Sequence, residues 1–386
     1  MSGVLRRLAL LVALVAALSA CGSGEPGTSG LGNDAPARLD DLGEIARLGL
    51  QSTDGEPLID PAELIDAASF DGIPSVEDPL VVPASRADGP LSDTEQVMLV
   101  VNRGVARAYP VRSLIRHEIV NDVVGGLPVA VTWCPLCNTG ITFDRRVDGR
   151  AEVFGVSGGL YRSALVMFDR RTTSLWPQPL GQAVLGPLLG EELVVVPSSL
   201  LPWSEARDAH SGLEVVLGSE DELQVSRNPY VGYDVSDDPF LFRGETDERL
   251  SAFERVAGVS FDGVSQAWSY DVLRRRRTVE ATVGQQPVVV LWAPGSASPL
   301  ETEDVREGRD VGSTGVYDPR VDGRSLTFRA SGRTQFSDRE TGSRWSLAGL
   351  AVEGPLKGTR LSALPHQDAF WFAWAAFQPD TSLVRE

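Results

Sequence analysis

The side chains that most often do chemistry are scarce in this chain: of 386 residues, three are cysteine, three histidine and one lysine, Lys357. Three cysteines cannot staple a chain of this length, so the fold must rest on a core drawn from its 42% hydrophobic residues. Positive charge is short too, with 35 Lys and Arg against 53 Asp and Glu. The resulting net charge of −18 argues against nucleic acid as a partner, because phosphates demand clustered cations. No hydrophobic run is long enough to span a bilayer; the best, residues 8–18, stops well short of a membrane-crossing helix.

That short run has meaning of another kind. Arg6 and Arg7 precede it, and Leu18-Ser19-Ala20-Cys21 places small residues before a cysteine, which resembles a bacterial lipoprotein signal. The resemblance implies a signal peptide over 1–20, lipid on Cys21 and a cell-membrane lipoprotein on the extracytoplasmic face, with the membrane as partner. Residues 21–38, rich in Gly, Ser and Pro, read as a flexible tether. Residues 39–95 form an acidic, weakly periodic N-terminal segment with one short helix expected over 61–68. With Cys21 lipidated, only Cys134 and Cys137 remain as thiols.

These two sit in LPVAVTWCPLCNTGITFDR, residues 127–145, which reads as strand, turn, strand. In thioredoxin-like proteins a C-x-x-C pair opens a helix, but Thr139, Gly140 and Ile141 argue against a helix here. Cys-Pro-x-Cys followed by Asn138, a residue tolerant of left-handed backbone, resembles the metal-holding knuckle of rubredoxins and zinc ribbons. Upstream, VRSLIRHEIVNDVV at 111–124 has apolar residues at spacings of three and four, which predicts an amphipathic helix ended near Gly125-Gly126. On such a helix His117 stacks with Asn121 and Glu118 with Asp122, so Glu118, Asn121 and Asp122 are candidates to orient His117 toward Cys134.

The chain also matches itself. Residues 107–133 align without a gap on 266–292, FDRRVDGR (143–150) on YDPRVDGR (317–324), and DRRTTSLW (169–176) on DRETGSRW (338–345). GPLLG (186–190) aligns on GPLKG (354–358), and Trp203 on Trp371. Order and spacing held over so many segments predict two degenerate repeats of one helix–strand–turn–hairpin unit, packed with pseudo-twofold symmetry in an α+β, mainly β fold. The first repeat spans 96–225, a connecting segment 226–264, and the second repeat 265–386. His117 falls on Arg276, Cys134 on Ala293 and His210 on Gln378, so the thiols and these two imidazoles have no counterpart in the second copy, whose own histidine is His366, and the site is localised to the first.

HEIVND (117–122), WCPLCNTG (133–140), FGVSGGLY (154–161), LVMFDRRTTSLWPQ (165–178) and FWFAWAAFQPDT (370–381), with DGIP (71–74), resemble the bacterial and archaeal domain-of-unknown-function 3179 family. That resemblance implies an exported or membrane-anchored protein and supplies no reaction. Three functions stay open. One is a metal centre for zinc or copper, with Cys134, Cys137, His117 and His210 as ligands. A second is a thiol–disulfide oxidoreductase in which Cys134 attacks and Cys137 resolves. The third is a non-catalytic scaffold or binding lipoprotein, with the pair as a structural disulfide and a protein partner. Whether the chain is an enzyme stays open with them. Ser157, Tyr161, Arg162 and Asp169 are pocket candidates, although Ser157 also suits a turn and Asp169, matched by Asp338, a structural one.

Overall fold

The computed structural model describes residues 55–386. The expected signal peptide, Cys21, the tether and the first part of the acidic segment lie outside the described residues. The described chain is mainly strand with short helices, as its β-branched runs require.

The acidic segment contributes β1 (Leu64–Asp66) and β2 (Leu80–Pro83). Next come β3 (Gln96–Asn102), β4 (Val105–Pro110), helix α1 (Val111–His117), β5 (Ile119–Val124), β6 (Leu127–Cys134) and β7 (Thr139–Asp144). A small hairpin, β8 (Arg146–Val147) and β9 (Arg150–Ala151), leads to β10 (Phe154–Tyr161), β11 (Ala164–Asp169) and β12 (Leu175–Pro177). Then follow β13 (Val194–Val196), β14 (Ser198–Pro202), α2 (Trp203–Ala209) and β15 (Glu214–Leu217).

After a connecting segment the chain runs through β16 (Arg255–Phe261), β17 (Val264–Ser269), α3 (Tyr270–Arg276), β18 (Thr278–Val283), β19 (Gln286–Ala293) and β20 (Ser313–Asp318). The hairpin β21 (Arg320–Val321) and β22 (Arg324–Ser325) precedes β23 (Phe328–Ala330), β24 (Gln335–Asp338), β25 (Arg344–Ser346) and β26 (Ala351–Glu353). The last elements are β27 (Ser362–Ala363), β28 (Gln367–Phe370), α4 (Trp371–Phe377) and β29 (Ser382–Val384).

Pairings in the earlier and later runs correspond. Sheet β13-β7-β6-β5 has the order of β27-β20-β19-β18, and β14-β3-β4-β15 that of β28-β16-β17-β29. In each, the strand after the last helix joins in parallel: β15 beside β4, β29 beside β17. Polar anchors correspond as well. Trp176 donates its indole N–H to Asp169 at 3.2 Å, and Trp345 to Asp338 at 2.9 Å. The two runs touch reciprocally, β14 lying along β20 and β28 along β7.

Local chemistry explains several turns. Asp148-Gly149 closes β8–β9 with both residues at positive φ, 51° and 74°, the backbone of a tight hairpin turn and the one expected from Asp-Gly. The core is tryptophan-rich, with Trp133, Trp176, Trp203, Trp268, Trp345 and Trp371 fully buried.

Two expectations are corrected. The helix at 111–124 ends at His117, because Glu118 takes a left-handed cap at φ 56° and the β-branched residues after it extend as β5. His117 and Asn121 therefore do not stack. The helix over 61–68 is one turn of 3₁₀ helix at Pro61–Glu63, after which Leu64–Asp66 pairs with β10. β2 likewise pairs with β15, so the described part of the acidic segment is woven into the sheets.

Candidate functional site

β6 delivers Cys134 at its last position, opposite Thr139 at the start of β7, and Pro135-Leu136-Cys137-Asn138 makes the turn between them. Asn138 holds φ 51°, as its short polar side chain permits, and its N–H donates to the Pro135 carbonyl at 3.3 Å. Both cysteines are free thiols and almost sealed, at 1% and 0% exposure. The Cys137 thiol donates to the Ser163 carbonyl at 3.6 Å, in the β10–β11 turn. The Cys137 carbonyl accepts from the Phe370 N–H of β28 at 2.9 Å, so the later half of the chain closes one side of the turn.

Burial works against a charged sulfur at both positions, yet the two thiols differ. At Cys134 burial is outweighed by the neighbouring Cys137 side chain and by the N–H groups of Leu165, Cys137 and Leu136, and its pKa falls below the ordinary value. At Cys137 burial and the sulfur of Cys134 act together and push the thiol well up. The two thiols are thus pushed apart, Cys134 toward the thiolate and Cys137 toward the neutral thiol.

Beside them lies Glu118. Its left-handed cap turns the backbone so that its carbonyl accepts the Trp133 N–H at 2.8 Å, while its carboxyl has no hydrogen-bond partner among the described residues. Burial, reinforced by the neighbouring Cys134, raises its pKa well above the ordinary value and favours its protonated form. The carboxyl borders a small cavity of about 50 Å³ walled by Leu136, Gly158, Leu165, Tyr230 and Phe240. Tyr230 and Tyr233 come from the connecting segment; burial raises both phenols, with Cys134 adding to each. Ser163 Oγ donates to the Phe240 carbonyl at 2.5 Å, tying this segment over the turn.

His117 is not brought to the thiols. Its Nδ1 lies 2.6 Å from the Pro74 carbonyl and its Nε2 2.6 Å from Glu222 Oε1. Both partners accept, so both ring nitrogens carry hydrogen; burial opposes the charge, but Glu222 and Pro74 outweigh it and the pKa rises. His210 lies elsewhere, against Arg360, where burial and that cation lower its pKa to about 4. Among the described residues no group of three or more His, Cys, Asp and Glu side chains is arranged to hold a metal ion.

The residues expected around His117 have other partners. Asn121 spans Phe154, donating to its carbonyl and accepting its N–H, both at 2.9 Å. Asp122 accepts from Tyr109 at 2.7 Å and pairs with Arg107. Ser157 Oγ donates to the Val166 carbonyl at 2.6 Å inside β10–β11. Asp169 gathers Thr172, Ser174 and Trp176 around one turn. Tyr161 packs on Phe377 and Arg162 donates to the Ala376 carbonyl at 2.6 Å.

Tyr230, Tyr233 and Phe240 were not singled out by the sequence, and no spacing or motif marks them. Glu118 was singled out only as a group to orient His117, because the apolar spacing through Val123 hid the helix end at which it caps.

No curated protein and no solved structure matches the chain. A family model described as protein of unknown function (DUF3179) matches residues 70–381, a span that holds β3–β28, the cysteine turn, Glu118 and the connecting segment. The chain belongs to that family.

Proposed function

We propose that the protein is a thiol–disulfide redox protein in which Cys134 attacks, Cys137 resolves and Glu118 carries the proton. The observation that supports this is the unequal pair: three backbone N–H groups serve one buried sulfur, Cys134, and its neighbour Cys137 is pushed the other way. In the reducing direction the Cys134 thiolate attacks a substrate disulfide, forming a mixed disulfide and expelling one thiolate, which takes the Glu118 proton. The Glu118 carboxylate then accepts the Cys137 proton, and the Cys137 thiolate attacks Cys134 Sγ. The second substrate thiolate leaves, the protein holds a Cys134–Cys137 disulfide, and two electrons have passed to the substrate. Treating Cys137→Ser with a small aromatic disulfide should trap a mixed disulfide on Cys134, seen as a mass increase, while Cys134→Ser traps none. Failure of the folded protein to react at either sulfur would sink this reading and leave the scaffold one.

A second reading keeps the same two sulfurs as a zinc or copper site. It is favoured by the knuckle-like turn with Asn138 at φ 51°, which holds two thiols at adjacent strand ends. Both ring nitrogens of His117 are engaged elsewhere and His210 lies against Arg360, so the two thiols would bind without them, an arrangement open to copper(I) rather than four-coordinate zinc. Anaerobic copper(I) titration separates the readings: one equivalent bound tightly, and lost in both serine variants, favours the metal.

Two further proposals concern the frame. The corresponding pairings and the reciprocal contacts of β14 with β20 and β28 with β7 support a duplicated unit with pseudo-twofold symmetry, with repeats over 96–225 and 265–386. The lipoprotein-like start supports an anchor on Cys21 at the extracytoplasmic face, where an exposed disulfide-bearing substrate would be at hand.

A further inference from the structure

A second concavity, away from the thiols, is much larger. It is a cleft of about 470 Å³ between β13–β14 and the β20 and β27 region. Its walls include Val101, Leu127, Val194, Val195 and Leu361. Three of these, at 40%, 69% and 37% exposure for Val101, Val194 and Val195, belong to the few large apolar side chains left open to solvent. Apolar surface gathered in a concavity marks a binding site more often than scattered exposure does.

The same cleft holds an unusual polar group. Arg360 has no carboxylate partner among the described residues, in a protein with a net charge of −18. It donates instead to the Ala209 carbonyl and, at 3.2 Å, to His210 Nε2. Because Nε2 accepts, the neutral ring carries its hydrogen on Nδ1, and burial beside the cation keeps it neutral, with a pKa of about 4. The cleft thus offers a free guanidinium charge and an imidazole N–H. Its one acidic lining residue, Asp144, is closed on Arg146 at 2.9 Å and does not compensate Arg360.

The frame does not require this cation. Arg360 forms an isolated bridge with Leu350, and the corresponding bridge in the earlier run joins Gln182 to Glu192, an acid in the same place. His210 likewise follows α2 where Gln378 follows α4.

We propose that this cleft binds an amphiphilic organic monoanion, a medium-chain carboxylate, with its head on Arg360 and His210 and its chain along Val101, Val194 and Val195. The site is independent of the thiols. The carboxylate meets an uncompensated guanidinium in a half-enclosed setting, where a charge-assisted bond outweighs one to water. The chain covers apolar surface that is otherwise wet.

The test is displacement of a fluorescent dansyl fatty acid from the full chain by dodecanoate, with 1-dodecanol as the neutral comparison. Dodecanoate should displace the probe better than 1-dodecanol, and about tenfold less well in Arg360→Gln and in Val194→Asp, each of which removes roughly one decade of affinity. Val194 is on the surface, so its replacement leaves the core intact even where Arg360→Gln disturbs the Ala209 contact. Absence of displacement, equal displacement by the alcohol, or unchanged affinity in either variant would overturn the proposal.

Discussion

Cys134 and Glu118 are both buried, and burial acts on each in the direction of the neutral form; only Cys134 is given enough donors to resist it. Glu118 therefore holds a proton that an ordinary glutamate, at 4.5, has lost. Between that value and its raised folded one, the folded state binds one proton more than the unfolded chain, so this group's contribution to stability falls as pH rises. Urea unfolding from acid to neutral pH should show that fall in the parent and not in Glu118→Gln, which keeps the shape without the titration. His117 gives the complementary case. Its pKa is raised by Glu222 and Pro74 over the ordinary 6.5, so the pair's contribution is full below that value and lost as pH climbs through the folded one. Glu222, where burial is outweighed by His117, Ser113 and Gly218, is lowered, so the pair also weakens in acid. A double-mutant cycle with His117→Gln and Glu222→Gln should give its largest coupling between those limits.

Elements here are fixed by their turns more than by their lengths. Asp169, itself buried, accepts the Thr172 and Ser174 N–H groups and the Trp176 indole around one turn. Asp169→Ala strands those donors and should lower stability by about 3 kcal/mol in urea melts, whereas Asp148→Ala, at an exposed turn, should change it far less. Gly158 holds φ 79°, and a Cβ there would come within 2.3 Å of the Ala68 backbone oxygen. Gly158→Ala should cost more than about 1 kcal/mol and disturb β1–β10, which amide exchange at Ala67 and Ala68 would register. Strands, hairpins and the Asp-Gly turns were legible because each depends on a few neighbouring residues. The α1–β5 junction was not: Leu114, Ile115, Ile119 and Val123 fit a helical stripe, and only pairing of β5 with β6 decides that the chain extends after Glu118.

The whole molecule is held where β14 meets β20 and β28 meets β7, so each half packs a strand against the other's sheet. A chain cut at the exposed Asp237-Asp238 should give halves that aggregate when made alone and recover the parent's guarded thiols when made together, as read by alkylation of Cys134 and Cys137. Labelling with radioactive palmitate should be lost in Cys21→Ser, the change that removes the one thiol of the lipoprotein-like start. By itself the sequence determined the family, the mainly β class, the knuckle turn with its left-handed Asn138 and the confinement of the thiols to one half, because those depend on composition, local backbone preference and order along the chain. Only the tertiary structure decided the company those thiols keep. It moved His117 to Glu222, brought Glu118 and the tyrosines of the connecting segment to the sulfurs, and set Arg360 beside His210. Contacts between residues far apart in sequence are settled by how sheets pack, and no local pattern encodes them.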